Sequence, residues 1–300
     1  MKAAVLLATY NGAEFVLEQI ASIQSQTHSD FTLYIRDDGS PDGTIDLCRQ
    51  AAKRDSRIKI MDDARGPSGC AAANFFRMLC AIDLAEYPFV AFSDQDDIWA
   101  PTKLARAISC LTEGCAEGYS SDLVAFDNHA GSAWYLRKSD SSLKFDYLFQ
   151  GASAGCTYVL SRKAAVLVRE KVELLGGIFP ANRSHDWWIY AVCRSHGLLW
   201  FMDSQSHVFY RQHARNVYGA MTGARGSIAK FRLSRTGWYR DHVLWNANFL
   251  QMTVAEQSIV KLVQRMGLVD RIRLAWGASD FRRSKRDRTL FRIILLLGLF

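Results

Sequence analysis

Short apolar runs alternate with amphipathic stretches along the first hundred residues. Val5-Leu6-Leu7-Ala8 has the length of a buried strand and ends in the polar turn Thr9-Tyr10-Asn11-Gly12. Val16, Leu17, Ile20 and Ile23 then recur at helical spacing, with Glu14, Glu18 and Gln19 off that face. Phe31, Leu33 and Ile35 alternate as a strand, followed by the turn-forming run Asp37 to Thr44 and a helix through Ile45 to Ala52. A third strand is expected at Ile58 to Met61. After a Gly/Pro break comes a helix whose Phe75, Met78, Leu79 and Ile82 share one face, and then the apolar run Phe89 to Phe92. Strands alternating with helices, with polar loops at the strand ends, predict a mostly parallel α/β sheet that binds ligands beyond the carboxyl ends of its strands.

The second part of the chain is patchier. A helix is expected over Thr102 to Leu111 and a strand over Leu123 to Phe126, with a polar loop from Asp127 through Lys144 in which Asp127, Asn128 and His129 approach a ligand or simply meet water. A strand from Thr157 to Leu160 leads into a helix opened by Ser161-Arg162-Lys163. Ile189 to Cys193 is helical, and Leu198 to Met202 and His207 to Tyr210 read as two strands. Beyond residue 220, Ile259, Leu262, Val263, Met266, Val269 and Ile272 repeat at helical spacing among Lys and Arg, and a basic run precedes the apolar terminus Ile293 to Phe300.

With 300 residues and 49% hydrophobic content the chain has ample material for a folded core. The seven cysteines are scattered without a CxxC pair, which points away from zinc and from a disulfide framework and towards a reducing cytoplasm. The apolar segments are too short for a signal peptide or a membrane span. Net charge is +7, unevenly spread: residues 221–300 carry 15 Lys or Arg against 5 Asp or Glu, net +10, and residues 1–220 carry 22 against 25, net −3. A mildly acidic body with a basic, amphipathic tail suits an anionic surface; the same pattern also suits a tail whose amphipathic helices pack on the body. Apolar residues beside the charge favour lipid over nucleic acid.

The candidate chemistry begins at Phe92 to Trp99, FSDQDDIW, where a strand ends in Asp94, Asp96 and Asp97. Three acids so close repel one another unless a hard divalent cation or several donors neutralise them, and Mg²⁺ or Mn²⁺ commonly bridges carboxylates and substrate phosphates. A solvated acidic turn with one Asp capping the next helix is the other reading of these residues. Small residues in Gly151 to Cys156 let a ligand approach the backbone or let strands pack tightly. Asp186, within Ser184-His185-Asp186-Trp187-Trp188, reads either as a functional acid or as a helix cap above core aromatics.

Taken in order, ATYNG after the first strand, RDDGSPDGT after the second and SDQDDIW after the fourth closely resemble the nucleotide-binding half of family 2 glycosyltransferases with the GT-A fold, over nearly the first 110 residues. HDWW and YRQH resemble the bacterial rhamnosyltransferase-like members, which make O-antigens and other surface polysaccharides. The resemblance implies an α/β, Rossmann-like mixed sheet flanked by helices. Residues 1–220 would form the catalytic domain, with 1–110 the nucleotide-sugar half and 111–220 the acceptor half, and residues 221–300 a helical, membrane-associating extension.

It also implies site roles. Thr9, Tyr10 and Asn11 flank the nucleotide base, Asp38 hydrogen-bonds to it, Ser40 belongs to the same donor site and Asp94 holds the ribose. Asp96, with Asp97 and His213, binds the metal, and Arg211 or Arg215 grips the diphosphate. Gly155, Cys156, Trp187 and Trp188 line the acceptor pocket, and Asp186 is the catalytic base, although His185 stands where the family usually has Glu. Asp37, Asp42 and Gly43 serve turn geometry.

The expected activity is metal-dependent, inverting transfer of one sugar, L-rhamnose from dTDP-L-rhamnose or a hexose from a UDP-sugar, to an undecaprenyl-diphosphate-linked glycan at the inner face of the bacterial membrane. The QxxRW signature of processive synthases is missing. A sugar-nucleotide pyrophosphorylase would need a Gly-rich basic loop after the first strand, which ATYNG is not, and a non-catalytic scaffold would leave the acids without a cation.

Overall fold

The computed structural model describes residues 1–128, 130–176, 179–213 and 223–300. His129 and Arg215, named above, lie outside them. The described chain forms two compact units: Met1–Ser139, Ser153–Asp186 and Leu198–Gln212 in the first, and Asp140–Ala152, Trp187–Gly197 and His213–Phe300 in the second. This differs from a single cut at residue 220, because two segments from within the expected catalytic domain group with the C-terminal helices.

In the first unit, β1 (Ala3–Thr9) lies between β2 (Phe31–Asp37) and β4 (Phe89–Asp94), and β2 also pairs with β3 (Ile58–Ile60), all in parallel. The crossovers are α1 (Val16–Gln24), α2 (Thr44–Arg54) and α3 (Ala71–Ala81). Every residue of β1 is buried, as a central parallel strand covered on both faces requires. The sheet continues through antiparallel β8 (Val159–Ser161) to β6 (Gly118–Asp127), then parallel β9 (Trp200–Arg211) and antiparallel β5 (Ile98–Trp99), while β7 (Ser132–Leu136) forms a hairpin with β6. It is therefore a mixed sheet flanked by helices, including α4 (Lys103–Glu113) and α5 (Arg162–Glu173).

The second unit is helical. It contains most of α6 (His185–Ser195), which begins in the first unit, followed by α7 (Gly223–Arg235), α8 (Trp238–Ala247), α9 (Val254–Arg265), α10 (Leu268–Trp276), α11 (Ala278–Phe281) and α12 (Lys285–Leu296). The helical repeat expected to run from Ile259 to Ile272 breaks at Met266, which takes a left-handed φ of 52° and ends α9. No helix among the described residues is long and apolar enough to cross a membrane.

Candidate active site

Parallel strands β1, β2 and β4 end side by side, so the three loops after them meet. Thr9 Oγ1 donates to Asp37 Oδ2 at 2.8 Å, the Asn11 N–H to Ser40 Oγ at 2.9 Å and the Gly12 N–H to Thr44 Oγ1 at 2.9 Å. Gln95, in the acidic loop, accepts from the Tyr10 N–H and donates to the Tyr10 carbonyl, both at 2.8 Å. That double bond needs Gly12, where a Cβ would fall 2.1 Å from Gln95 Oε1. Asn11 bends the loop with a left-handed φ of 51°, a conformation Asn tolerates better than most residues. The Tyr10 side chain stays 55% exposed, available as a flat face for a base.

The second loop is largely self-supporting. Asp37 Oδ1 accepts from the Gly39 and Ser40 amides, Asp42 accepts from the Thr44 amide at the start of α2, and Gly43 sits at φ 84°, so these three serve turn geometry as expected. Asp38 is buried. It accepts from Arg36 at 2.9 Å and from the Ser68 and Gly69 amides. Burial works to raise its pKa, but those donors hold the carboxyl below the usual value. It therefore fixes the loop at residues 68 and 69 as well as standing in the expected donor region.

At the end of β4, Asp94, Asp97 and Cys156 bring donor atoms within 4.8 Å of one another. Asp97 has no exposed surface, and its Oδ2 is buried without a hydrogen-bond partner. Burial first, and then the neighbouring carboxylates, push Asp97 well above its ordinary pKa; the same causes, with the charge of Asp186 added, raise Asp94 to about 7. The Cys156 thiol is pushed up by burial and stays protonated. An unpartnered buried carboxylate oxygen beside a second carboxylate is a donor set that fits a hard divalent cation, with the thiol at most a bystander.

Arrangement and expectation differ here in several places. Asp96, expected as a metal ligand, is outside that donor cluster, although both Asp94 and Asp97 feel its charge. Cys156 belongs to the acid cluster and is 1% exposed, so it does not wall an acceptor pocket. Gly155 is also buried, and its missing Cβ makes room for His185: a Cβ would lie 2.5 Å from Nε2.

Arg211 braces the acidic loop and does not present its fork to a diphosphate. It is 3% exposed, its Nε donates to the Asp96 carbonyl at 2.9 Å, its Nη2 pairs with Glu18, and its guanidinium lies between the Phe15 and Phe126 rings. Trp187 and Trp188 are core residues of the second unit. Trp187 stacks on His242 at 4.7 Å and donates to the Tyr147 carbonyl, and Trp188 packs on Trp245 and Phe249, so neither ring offers a face to a sugar. His213 is half-buried and groups with the second unit.

Asp186 lies in the first turn of α6, inside the helix and not at its cap, and Ser184 Oγ donates to its Oδ1. Its charge helps to raise the Asp94 pKa. His185 packs on Phe75 at 5.3 Å, and Phe75 on Phe92 of β4 at 5.5 Å, so the start of α6 is keyed to the strand that carries the acids. Burial lowers the His185 pKa and favours the neutral ring.

One residue was missed by sequence reasoning. Lys103 opens α4 with no exposed surface, donates to the Cys156 carbonyl at 3.0 Å and lies 3.2 Å from the centre of the Trp99 ring. Burial lowers its pKa to about 7, and its charge in turn lowers that of Asp94. The available signal was a lysine four residues after Trp99, on the apolar side of a helix that follows three acids.

A mixed sheet whose parallel strands end in three interlaced loops, flanked by helices, is the architecture of GT-A glycosyltransferases. The glycosyl transferase family 2 model matches residues 4–173, more than half of the chain, and the chain belongs to that family. Among curated relatives it is 32% identical over 295 residues to the dTDP-rhamnosyl transferase RfbG of Shigella flexneri, covering 98% of this chain and 100% of that one. The protein is thus a rhamnosyltransferase-like member. It is 25% identical over 214 residues, 71% of this chain and 78% of the relative, to the UDP-Glc:alpha-D-GlcNAc-diphosphoundecaprenol beta-1,3-glucosyltransferase WfaP of Escherichia coli. Two solved structures share the fold: S. aureus TarS 1-349 in complex with UDP-GlcNAc, at TM-score 0.60 and 14% identity over 100% of this chain and 80% of that one; and the mannosyltransferase PcManGT of Pyrobaculum calidifontis in complex with GDP-Man and Mn²⁺, at TM-score 0.54 and 15% identity over 99% and 85%.

Proposed function

We propose that this protein transfers a single L-rhamnose from dTDP-L-rhamnose, with inversion, to an undecaprenyl-diphosphate-linked glycan at the cytoplasmic face of the bacterial membrane. The donor follows from the near full-length likeness to RfbG, and a lipid-diphosphate acceptor from the name of WfaP. The observation that supports the mechanism is that the charge of Asp186, at the start of α6, acts on Asp94 of the acid cluster.

In this reading Tyr10 stacks on the base, and the loops of Thr9, Asn11, Asp38 and Ser40 shape its pocket. Asp94 and Asp97 would hold Mg²⁺ or Mn²⁺, with Asp96 adding negative charge nearby. A cation held there would neutralise the charge that grows on the diphosphate. Asp186 takes the proton of the acceptor hydroxyl as that oxygen bonds to the anomeric carbon. The bond from this carbon to the phosphate oxygen breaks on the opposite face, and its electron pair leaves with the nucleoside diphosphate. Neutral His185, packed against Phe75, keeps Asp186 aimed at the site.

A donor panel with Mn²⁺ or Mg²⁺ tests this. Slow release of dTDP from dTDP-L-rhamnose without acceptor, stopped by EDTA, is expected; preferential turnover of a UDP-hexose would replace the donor assignment. Asp186→Asn should keep donor affinity and lower transfer about a hundredfold or more. A purely structural Asp in a first helical turn loses only about 0.3–1 kcal/mol of helix-dipole energy on that change, so near-normal transfer would move the base elsewhere, with Asp127 the next residue to change.

A further inference from the structure

Within the second unit, α10 and α12 run antiparallel. Arg292 Nε of α12 donates to the Ala275 carbonyl of α10 at 3.2 Å, and Arg271 lies against Gly298. At 100° per residue, each helix turns a buried face inward, Leu274 and Ala275 on α10 and Phe291, Ile294 and Leu295 on α12. The outward faces are also apolar. Leu268, Ile272 and Trp276 span about 80° of α10, Ile293 and Leu296 of α12 with its cap residue Leu297 span about 100°, and all six are between 46% and 86% exposed. Trp276 is the most exposed of the six at 86%.

A monomeric soluble surface rarely gathers six large apolar side chains on two neighbouring helices without covering them. Their surroundings indicate what covers them. Exposed Lys261, Arg265, Arg273, Lys285, Arg286 and Arg292 lie on α9, α10 and α12, and residues 221–300 carry net +10. Exposed apolar side chains, an indole among them, on helices that also carry exposed cations match the region of a bilayer where acyl chains give way to anionic headgroups. A protein partner would also need apolar complementarity, but it has no reason to call for a net charge of +10 over residues 221–300.

We infer that this α10/α12 face is the membrane-contact surface, with Ile272, Trp276 and Leu296 entering the acyl boundary of an anionic leaflet and the exposed Arg and Lys of these helices binding phosphate headgroups. The inference gives a surface to the membrane attachment included in the proposed function. It does not depend on the identity of donor or acceptor, because lipid binding is read without either.

The test is flotation of the full chain with phosphatidylcholine vesicles and with vesicles containing phosphatidylglycerol. Binding to the anionic vesicles is expected. The triple variant Ile272→Ser, Trp276→Ser, Leu296→Ser should bind at least about tenfold more weakly, and Arg273→Gln with Lys285→Gln should weaken binding most at low salt. Unchanged nucleoside diphosphate binding by these variants shows that they are folded. As a conservative check, Trp276→Phe should lose part of the fluorescence quenching by phosphatidylglycerol with brominated acyl chains. Full-strength vesicle binding by the triple variant would overturn this face while leaving attachment intact. Failure of the unaltered chain to bind anionic vesicles would overturn attachment itself. A dimer of the unaltered chain that the triple variant dissolves, without vesicle binding, would assign the face to a second copy.

Discussion

An ammonium group without exposed surface has lost its water and must be held by oxygens or ring faces. Lys103 has the Cys156 carbonyl and the Trp99 ring, and the acids Asp94 and Asp97 supply the balancing charge. Lys103→Met removes a positive charge that lowers the Asp94 pKa, so the pH at which divalent ions begin to bind should rise by about one unit. Calorimetry of Mn²⁺ and dTDP binding across pH checks this, and an unmoved midpoint would disconnect Lys103 from the cluster. The unaltered site has its own pH signature. Asp94, raised from 3.8 to about 7 in the folded protein, contributes stability that is full below about pH 4 and lost as pH rises through 7. Lys103, lowered from 10.5 to about 7, contributes stability that is full above about pH 10.5 and lost as pH falls through 7. Metal-free protein should therefore be least stable near neutrality on account of this pair. A cation needs the ionised carboxylates, so its stabilisation should be larger at pH 8 than at pH 5.5. Equal thermal shifts at the two values would contradict the assignment. At this scale the acids were legible because three carboxylates at a strand end need an explanation, whereas Lys103 was not: a lysine at a helix start reads as solvated until the sheet shows what lies over it.

At the scale of elements, the strand, loop and helix alternation of residues 1–113 followed directly from periodicity, since buried parallel strands are continuous apolar runs and their helices are amphipathic. The second half resisted for reasons visible in particular residues. β9 read as two strands because Asp203 to Ser206 interrupt it with polar side chains, yet Asp203 is buried against Arg106 at 2.7 Å and Tyr119 at 3.1 Å, and the pairing with β6 shifts register at Ser121 and Asp122. β7 reads as loop in the sequence because its residues are mostly exposed and give little apolar alternation. What joins elements in the site is shape: Gly155 lets the His185 ring approach, and a methyl there would fall 2.5 Å from Nε2. Gly155→Ala should therefore displace the start of α6, lowering turnover about tenfold or more while Mn²⁺-dependent dTDP binding changes little, since a misplacement of 1 Å can cost a hundredfold. Steady-state kinetics beside calorimetry separates the two effects. Equal losses in both would mean that the substitution disturbs the whole sheet edge.

For the molecule as a whole, the second unit is assembled from three separated pieces of chain, and Asp146 ties them together. Its carboxylate, with no exposed surface, receives Tyr190 at 3.0 Å, pairs with Arg283 at 2.7 Å and lies 3.5 Å from Arg194. Removing it would strand two largely buried guanidiniums, so Asp146→Ala should lose about 3–5 kcal/mol, measured by denaturant melts. The same three-piece construction changes what cutting the chain would do. A basic tail appended to a finished domain could be removed after Gly219 at the cost of membrane attachment alone, and the charge distribution suggests such a cut. The packing says otherwise. Trp187 loses His242 and Trp238, Trp188 loses Trp245 and Phe249, Tyr147 loses Glu256, and Asp146 loses Arg283 when residues 220–300 are absent. Uncovering two tryptophans that are at most 4% exposed removes contacts worth on the order of 3–5 kcal/mol each, comparable with the whole stability of a domain. The truncated chain is therefore expected to melt at least about 10 °C lower than the full chain and to bind a hydrophobic dye, with its loss of activity following from instability before any question of lipid arises. A truncated protein that melts with the full chain and keeps nucleoside diphosphate binding would show that residues 140–152 and 187–197 hold their places without the C-terminal helices.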